Sequence, residues 1–593
     1  MKTQDSRLKT QDRRNGSILV LVVVLMVILT ILGVAILTVA YGARLEAIRL
    51  KNEAAAMLAA EAGYEKAIDW MGQQQDMLTA LYKAAADSTG ALSFPDADCD
   101  YQVGFYTFLN ARPIYRVISN GHSGAFDRRV DVLVVQAISG WAMGKCRVPD
   151  STSTTRPVYF ADGEEIRIPI HINNLRDNPD NRDIYIQGSP LFKEPVGMGE
   201  SRNAVSTGAD KYASVMGLFE GGIHFDQPDC KVTDEATVQG KVDRFKDTTK
   251  TAFKFTPTAT APITLPSGTS KLPATQLEFF VEDGVGKVRI TNDCTVLGYR
   301  RDSDSKTYDF KITPKSGGTQ YEKYPIYAYH VKSTSEVSRV VPLTDTYVTQ
   351  SFGGVESKPG GQIFIDGSVV IGSSDYIDMV VKGKITVVAS GNIWIADSVK
   401  VSDYDDSGAL CSRGSNDMPA MDNPNALGLI AQGVVKVIDP GMSKYATSYS
   451  EYGGNNNYPG PVPPEYVSGS SGYVYAPVAS PVGGGATYDR YLSDPTVVEA
   501  AITVGGGGWG AENVRRGSYG GRKEASSPQD DLIVRGTITE AVRGVVGMIG
   551  SDGYLKHYYL DDRFLEGILP GDIWLRGKYI PAPAGWHDYR ASN

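Results

Sequence analysis

The chain has little of what marks the common enzyme and nucleic-acid classes. Its five cysteines, Cys99, Cys146, Cys230, Cys294 and Cys411, contain no CxxC, so neither a zinc knuckle nor a dithiol redox motif is encoded. Six histidines (His122, His171, His224, His330, His557 and His587) have no His or Glu partner at metalloprotease spacing. There is no GxSxG elbow. The glycine run Gly505-Gly506-Gly507-Gly508-Trp509-Gly510 is followed by no Lys-Ser/Thr pair, which excludes a phosphate cradle. Net charge is −9 at pH 7, and no Lys/Arg-rich patch with interleaved aromatics follows residue 60, so no nucleic-acid partner is expected. No cofactor is called for.

The most telling absence is of charge between Ile18 and Tyr41. In front of that run stand Lys2, Arg7, Lys9, Arg13 and Arg14 against Asp5 and Asp12. Ser17–Ala40 is long enough to cross a bilayer as a helix. The basic excess before it predicts a cytoplasmic N-terminus, with the rest of the chain crossing the membrane. A secretory signal has a shorter apolar core and a small-x-small cleavage site, which Ala40-Tyr41-Gly42-Ala43 matches weakly; a plain signal anchor is the simpler alternative. The helical pattern then continues. Residues 42–71 are rich in Ala, Leu, Glu and Lys with no proline, and Leu45, Ile48, Met57, Leu58, Tyr64, Ile68 and Met71 form an apolar stripe. One helix from Ser17 to about Leu81 is predicted, on the order of 100 Å long, its first half in lipid and its second on a periplasmic domain.

The basic leader ending in Gly16, the apolar stalk and the run Ala54-Ala55-Ala56…Ala59-Ala60-Glu61-Ala62-Gly63 resemble type IV pilins and pseudopilins, in particular the PilX-type minor pilins and the K-type pseudopilins of type II secretion. The resemblance implies cleavage by prepilin peptidase between Gly16 and Ser17, methylation of the new Ser17 amine, and partners that are other pilin-like subunits. Major pilins carry Glu at the fifth mature position, where this chain has Leu21; a charge there must be offset in lipid, and PilX-like and K-type subunits tend to lack it. The small-residue stripe, with Ala55, Ala59, Ala62 and Gly63, reads either as ordinary core or as the face where neighbouring helices approach closely.

Beyond the helix, Asp87–Pro95 is turn-like. Three strands are read by alternation from Tyr101, Pro113 and Arg128 onward, with Asn120-Gly121 and Ser123-Gly124 as turns. The fold class expected is α+β: a leader (1–16), a transmembrane and periplasmic helix (17–84), a small antiparallel sheet of pilin type (85–136), and a mostly-β domain (137–593). In that domain a pattern of apolar residue, any residue, Gly, any residue, apolar residue recurs at 238–242, 365–369, 381–385, 389–393, 431–435 and 534–538. It suggests corners of β-solenoid rungs, with an ordinary hairpin sheet as the alternative. Residues 362–401, with 160–189, 426–437 and 554–564, resemble β-helical domains fused behind PilX-like helices. Residues 452–487 and 505–522 read as loop insertions.

Candidate chemistry is sparse. Asp403, Asp405 and Asp406 stand at calcium-loop spacing without the acidic twelfth residue, so a solvated acidic loop is the simpler reading. Asp366, Asp375 and Asp378 are the carboxylates that a β-helical polysaccharide lyase or hydrolase would use. His557 with Asp561, Asp562 and Arg563 reads as a polar network, and Cys230–Cys294 is one pairing that a periplasmic site would permit. The function expected is a non-enzymatic, minor-pilin-like subunit at the tip or priming complex of a type IV pilus or type II secretion-like filament. The alternative is a membrane-anchored adhesin or carbohydrate-active protein using a pilin-like export signal.

Overall fold

The computed structural model describes residues 8–590 apart from 75, 84–88, 110–111, 139, 145–157, 174–183, 207–211, 231–234, 258–268, 300–312, 316–317, 321–325, 332–337, 353–354, 373–377, 438–473, 476–494, 512–529, 542, 545, 549–551, 572 and 574–576. Helix α1 runs from Leu8 to Gln73, 66 residues, about 100 Å at 1.5 Å per residue. The single rod expected to reach about Leu81 within 17–84 is broken. A second helix, α2, spans Met77–Lys83. Asp76 caps it, accepting the Leu78 N–H (3.0 Å) and the Thr79 hydroxyl (2.5 Å), so the backbone leaves the helical path where a side chain offers a competing acceptor.

Four antiparallel strands follow: β1 (Thr89–Ser93), β2 (Asp98–Leu109), β3 (Arg112–Ser123) and β4 (Phe126–Gln136). β3 alternates half-buried and buried at every position, and its inward side chains pack on α1 with Ala60, Tyr64, Ala67 and Met71. A fifth strand, which the boundary at 136 leaves out, is the last one of the chain. Tyr579–Arg590 pairs antiparallel with β4. The domain expected to occupy 137–593 is therefore an insertion between two strands of the small sheet, and its two ends meet where the Ala137 N–H donates to the Lys578 carbonyl (2.8 Å).

The inserted head is mostly β, in several sheets. Its largest ladder is parallel: Gly361–Ile365 pairs with Ile385–Ala389, Lys384–Ala389 with Ala426–Ala431, Gly428–Ala431 with Ala501–Val504, and Thr496–Val504 with Leu532–Glu540. The registers align Ile363, Val387, Leu429, Ile502 and Ile538 in one buried aliphatic column. Each such side chain contributes about 1.5–3 kcal/mol by burial, which explains the near-continuous apolar strands: both faces are covered. A second parallel ladder links Val369–Ile371, Ile393–Ile395, Val435–Val437 and Trp509–Ala511.

The chain enters this head in its middle. Trp141–Met143 pairs with Ile170–Ile172, and that strand with Val196–Met198. Helix α3 (Glu235–Thr248) follows, and Lys254–Phe255 then pairs with Phe364–Ile365. The chain works back until Ile538–Glu540 docks beside Trp141–Met143, so the two runs close into one stack.

The recurrent glycine pattern falls between strand pairs at 365–369, 381–385, 389–393 and 431–435. At 534–538 it lies inside the strand Asp530–Glu540, where Gly536 has φ +158 and a Cβ would sit 1.9 Å from the Ala500 carbonyl oxygen. At 238–242 the pattern is not a corner but part of α3; its Val238 and Val242 are a helix stripe against the head. The loop expected over 505–522 is also corrected in its described part. Gly505–Gly508 are buried, and the N–H groups of Gly505, Gly506 and Gly507 donate to Ala431 and Gly433 carbonyls, making a tight buried bend into Trp509–Ala511. The insertion at 452–487 lies outside the described residues except for Val474–Tyr475, which pairs with His330–Val331.

Candidate functional site

The surface most unlike a folded protein's is the first half of α1. Ile18 through Tyr41 extend beyond the small sheet with every large apolar side chain exposed, and among the described residues α1 is the one helix long and apolar enough to cross a membrane. Its threonine hydroxyls are satisfied locally: Thr30 and Thr38 donate to the Met26 and Val34 carbonyls at 2.7 and 2.8 Å, as an apolar surrounding demands. Gly16 and Ser17 lie within α1. Leu21 is exposed on the uncharged rod.

The second half of α1 is seated on its own sheet, and this settles most of the small-residue stripe. Ala59 and Gly63 are buried. A Cβ on Gly63 would lie 2.2 Å from Ser119 Oγ, and one on Gly121 would lie 2.0 Å from the Ala56 carbonyl oxygen. Gly121 is thus not a turn residue, as Asn120-Gly121 suggested; it sits inside β3 so that the helix backbone can approach the sheet closely. Ala55 and Ala62 are half-buried at the flank. Of the four stripe positions, Ala59 and Gly63 make intramolecular core, and Ala55 and Ala62 border the exposed side.

Polar pairs fasten the helix where it leaves the rod. Arg128 Nη2 donates to Glu53 Oε1 at 2.5 Å, and Lys51 Nζ to Asp96 Oδ2 at 2.9 Å. His122 lies between Asp127 (2.6 Å) and Asp100 (3.4 Å), and the hydrogen bond with Asp127 raises its pKa despite partial burial. Lower down, Tyr64 meets Trp586 edge-on at 4.9 Å, and Tyr115 meets Tyr579 at 5.7 Å, so the last strand closes the helix-bearing face.

The remaining candidates are engaged in structure. Asp403 Oδ1 accepts from Arg413 Nε at 2.7 Å. Asp405 turns back on its own loop, accepting from Ser407 N and Oγ and from Ala409 N, which lowers its pKa. Neither these residues nor Asp406 come together as a cation site: among the described residues no group of three His, Cys, Asp or Glu side chains is arranged to hold a metal ion. Asp366 accepts from Ser390 and pairs with Lys246, Asp378 pairs with Lys400, and Asp375 lies outside the described residues. Asp561 holds Arg563, whose Nη1 donates to the Asn423 and Asn425 carbonyls at 2.8 Å, while His557 faces Asp531 instead, at 3.1 Å. Cys230 and Cys294 are not joined in a disulfide, which corrects that pairing; nor are Cys99 and Cys411 disulfide-bonded. Cys294 is buried in a strand between Ala274 and Val331, and the Cys230 N–H is held by Asn173 and His171. Cys146 lies outside the described residues.

Reading the residues in order missed Gly121, Tyr115 and Trp586, which fit the helix to its sheet, and Asp76 with Arg244, which meet across the fold. Trp586 and Tyr579 carry no local signal, because their strand pairs with one far back in the chain.

No protein-family model matches the sequence, and no curated relative does. Among solved structures, the crystal structure of the competence-associated pilin ComZ from Thermus thermophilus is similar over 91% of this chain and 98% of that one, at 11% identity and a TM-score of 0.24. At that score the likeness decides nothing, and the helix and its sheet carry the weight.

Proposed function

We propose that this protein is a membrane-anchored, minor-pilin-like structural subunit without enzymatic activity. The single observation that supports it is the division of one unbroken helix: an uncharged half with no intramolecular partner among the described residues (Ile18–Tyr41) continues directly into a half packed on a small antiparallel sheet. A rod of that kind buries its first half in lipid or among similar rods, and Leu21 adds no charge to be neutralised there. Prepilin peptidase trims the chain between Gly16 and Ser17, the N-terminus faces the cytoplasm, and the sheet and head lie outside the inner membrane. The parallel ladders of the head are rungs of a β-solenoid, each covering the apolar face of the next. A head of this bulk suits a rare position, at a tip or in a priming complex, better than a repeating one.

Intact mass and N-terminal sequencing of the native protein test this. A mature chain beginning at Ser17, and a Gly16→Ala variant that keeps residues 1–16 and drops out of the filament fraction, are expected. A native chain that retains its basic leader overturns it.

A further inference from the structure

The head is joined to the rod module at a neck, where the chain crosses at Ala137 and again at Lys578. Arg112 spans the same place, donating to the Leu565 carbonyl (3.0 Å) and the Gln136 carbonyl (2.8 Å). The two crossing segments of that neck fix one position, and beside it β2 lies against the head strand Val355–Ile365 and α2 against Tyr347–Phe352. A second fastening lies close by, near enough for the Asp76 carboxylate to act on Tyr579, the neighbour of Lys578. Asp76, in the break between α1 and α2, is buried, as are Lys241 and Arg244 of α3, both 0% exposed. Asp76 Oδ2 receives Lys241 Nζ at 2.9 Å and Arg244 Nη2 at 2.7 Å, and Arg244 Nε donates to the Thr79 hydroxyl at 2.6 Å. α3 therefore has two opposed fastenings. Val238, Val242 and Phe245 bury against Phe364, Val388 and Ile430 of the head, and its cationic positions reach the rod module.

We propose that Asp76, Lys241 and Arg244 form a latch that sets the angle at which the head leaves the rod. Apolar surfaces slide at little cost, whereas buried charges with directed hydrogen bonds accept one register, because a displaced partner leaves a charge stranded without water. The carboxylate is doubly committed, since it also caps α2 through the Leu78 N–H; opening the latch and unwinding the start of α2 are one event. This holds whether or not the rod enters a filament.

The test uses the full chain in detergent micelles, with a donor and an acceptor dye at the exposed positions Glu65 of α1 and Gln227 of the head, introduced as unnatural amino acids. Single-molecule transfer gives the distance distribution. One narrow distance is expected for the parent. Asp76→Asn, and the apolar triple Asp76→Leu/Lys241→Met/Arg244→Met, are expected to widen it at least twofold while the head keeps its β circular dichroism. A distribution of parental width in either folded variant overturns the latch. The unmodified chain supplies a reading that needs no substitution. The Leu78 amide, held by Asp76, is expected to exchange hydrogen at least tenfold faster than the Leu429 amide in the ladder core, since latch opening precedes global unfolding; equal protection at the two amides also overturns the proposal.

Discussion

The two halves of α1 share one backbone and one helical period, yet they obey opposite rules. From Ile18 to Tyr41 the side chains are large, apolar, uncharged and exposed; from Ala56 to Met71 the buried positions are Ala56, Ala59, Ala60, Gly63, Tyr64, Ala67 and Met71. The lower half is made of small residues because a sheet lies directly against it, and its fit is fixed by the room left at Gly63 and Gly121. The upper half has no such partner among the described residues, so nothing there selects for small size or for shape. Exposed bulk on a helix is a statement about surroundings, and close-fitting small residues are a statement about a neighbour already present.

Substitutions that strike one half and spare the other separate these rules. Tyr115→Ala, which empties a fully buried position under the lower half, is expected to cost about 4 kcal/mol, read as a lower melting temperature of the small sheet with membrane retention unchanged. Leu25→Arg reverses the pattern: a charge in the apolar rod costs about 3 kcal/mol of insertion, read as protein lost from the membrane fraction while the melting of sheet and head stays at the parental value. The head serves as the control that neither half should move. At the seam between its two runs, Glu540 is buried and accepts from Trp141 Nε1, Trp509 N and Gly544 N. Burial raises its carboxyl from 4.5 to about 7 against the pull of those donors. The neutral form is favoured in the fold, so this stabilisation is complete below about pH 4.5 and lost as pH rises through about 7, a change of roughly 2–3 kcal/mol. Denaturant titrations of the head at pH 5 and pH 8 read it, and Glu540→Gln should flatten the difference. The smallest effect is expected from Arg128→Ala, which removes one partner of Glu53 and should cost about 1 kcal/mol. A larger loss there would mean that charge, rather than close fit, holds the lower half in place.

Much of the rod was legible from residue order alone, since absence of charge over a long apolar run and a 3–4-residue stripe are local signals. β2, β3 and β4 were legible for the same reason, through alternation. The glycine corners at 365–369, 381–385, 389–393 and 431–435 could be read because a short bend between apolar strands asks for Gly in place. What failed was non-local. Val238-Gln-Gly-Lys-Val242 fits the corner pattern but belongs to a helix, because α3 needs valines four apart to cover the head. Gly505–Gly508 resembles a solvent loop until its N–H groups find carbonyls on the preceding rung. The last strand carries Pro581 and Pro583, which argue against an interior strand; it pairs with β4 on one side, and its register shifts between Pro581 and Trp586. Asp76, Lys241 and Arg244 are ordinary charges in sequence and become a buried cluster only when α3 returns to the rod.

The return of Tyr579–Arg590 to the small sheet has a consequence for synthesis. A ribosome delivers α1 and β1–β4 early, yet the strand that seals Tyr64 and Tyr115 emerges only after the whole inserted head. During that interval the nascent rod module keeps an open flank, and a chain halted anywhere in the head leaves it open for good. Completion of this five-stranded sheet thus reports that synthesis has passed the whole head, so that a product truncated within the head carries its defect in the very sheet that seats α1.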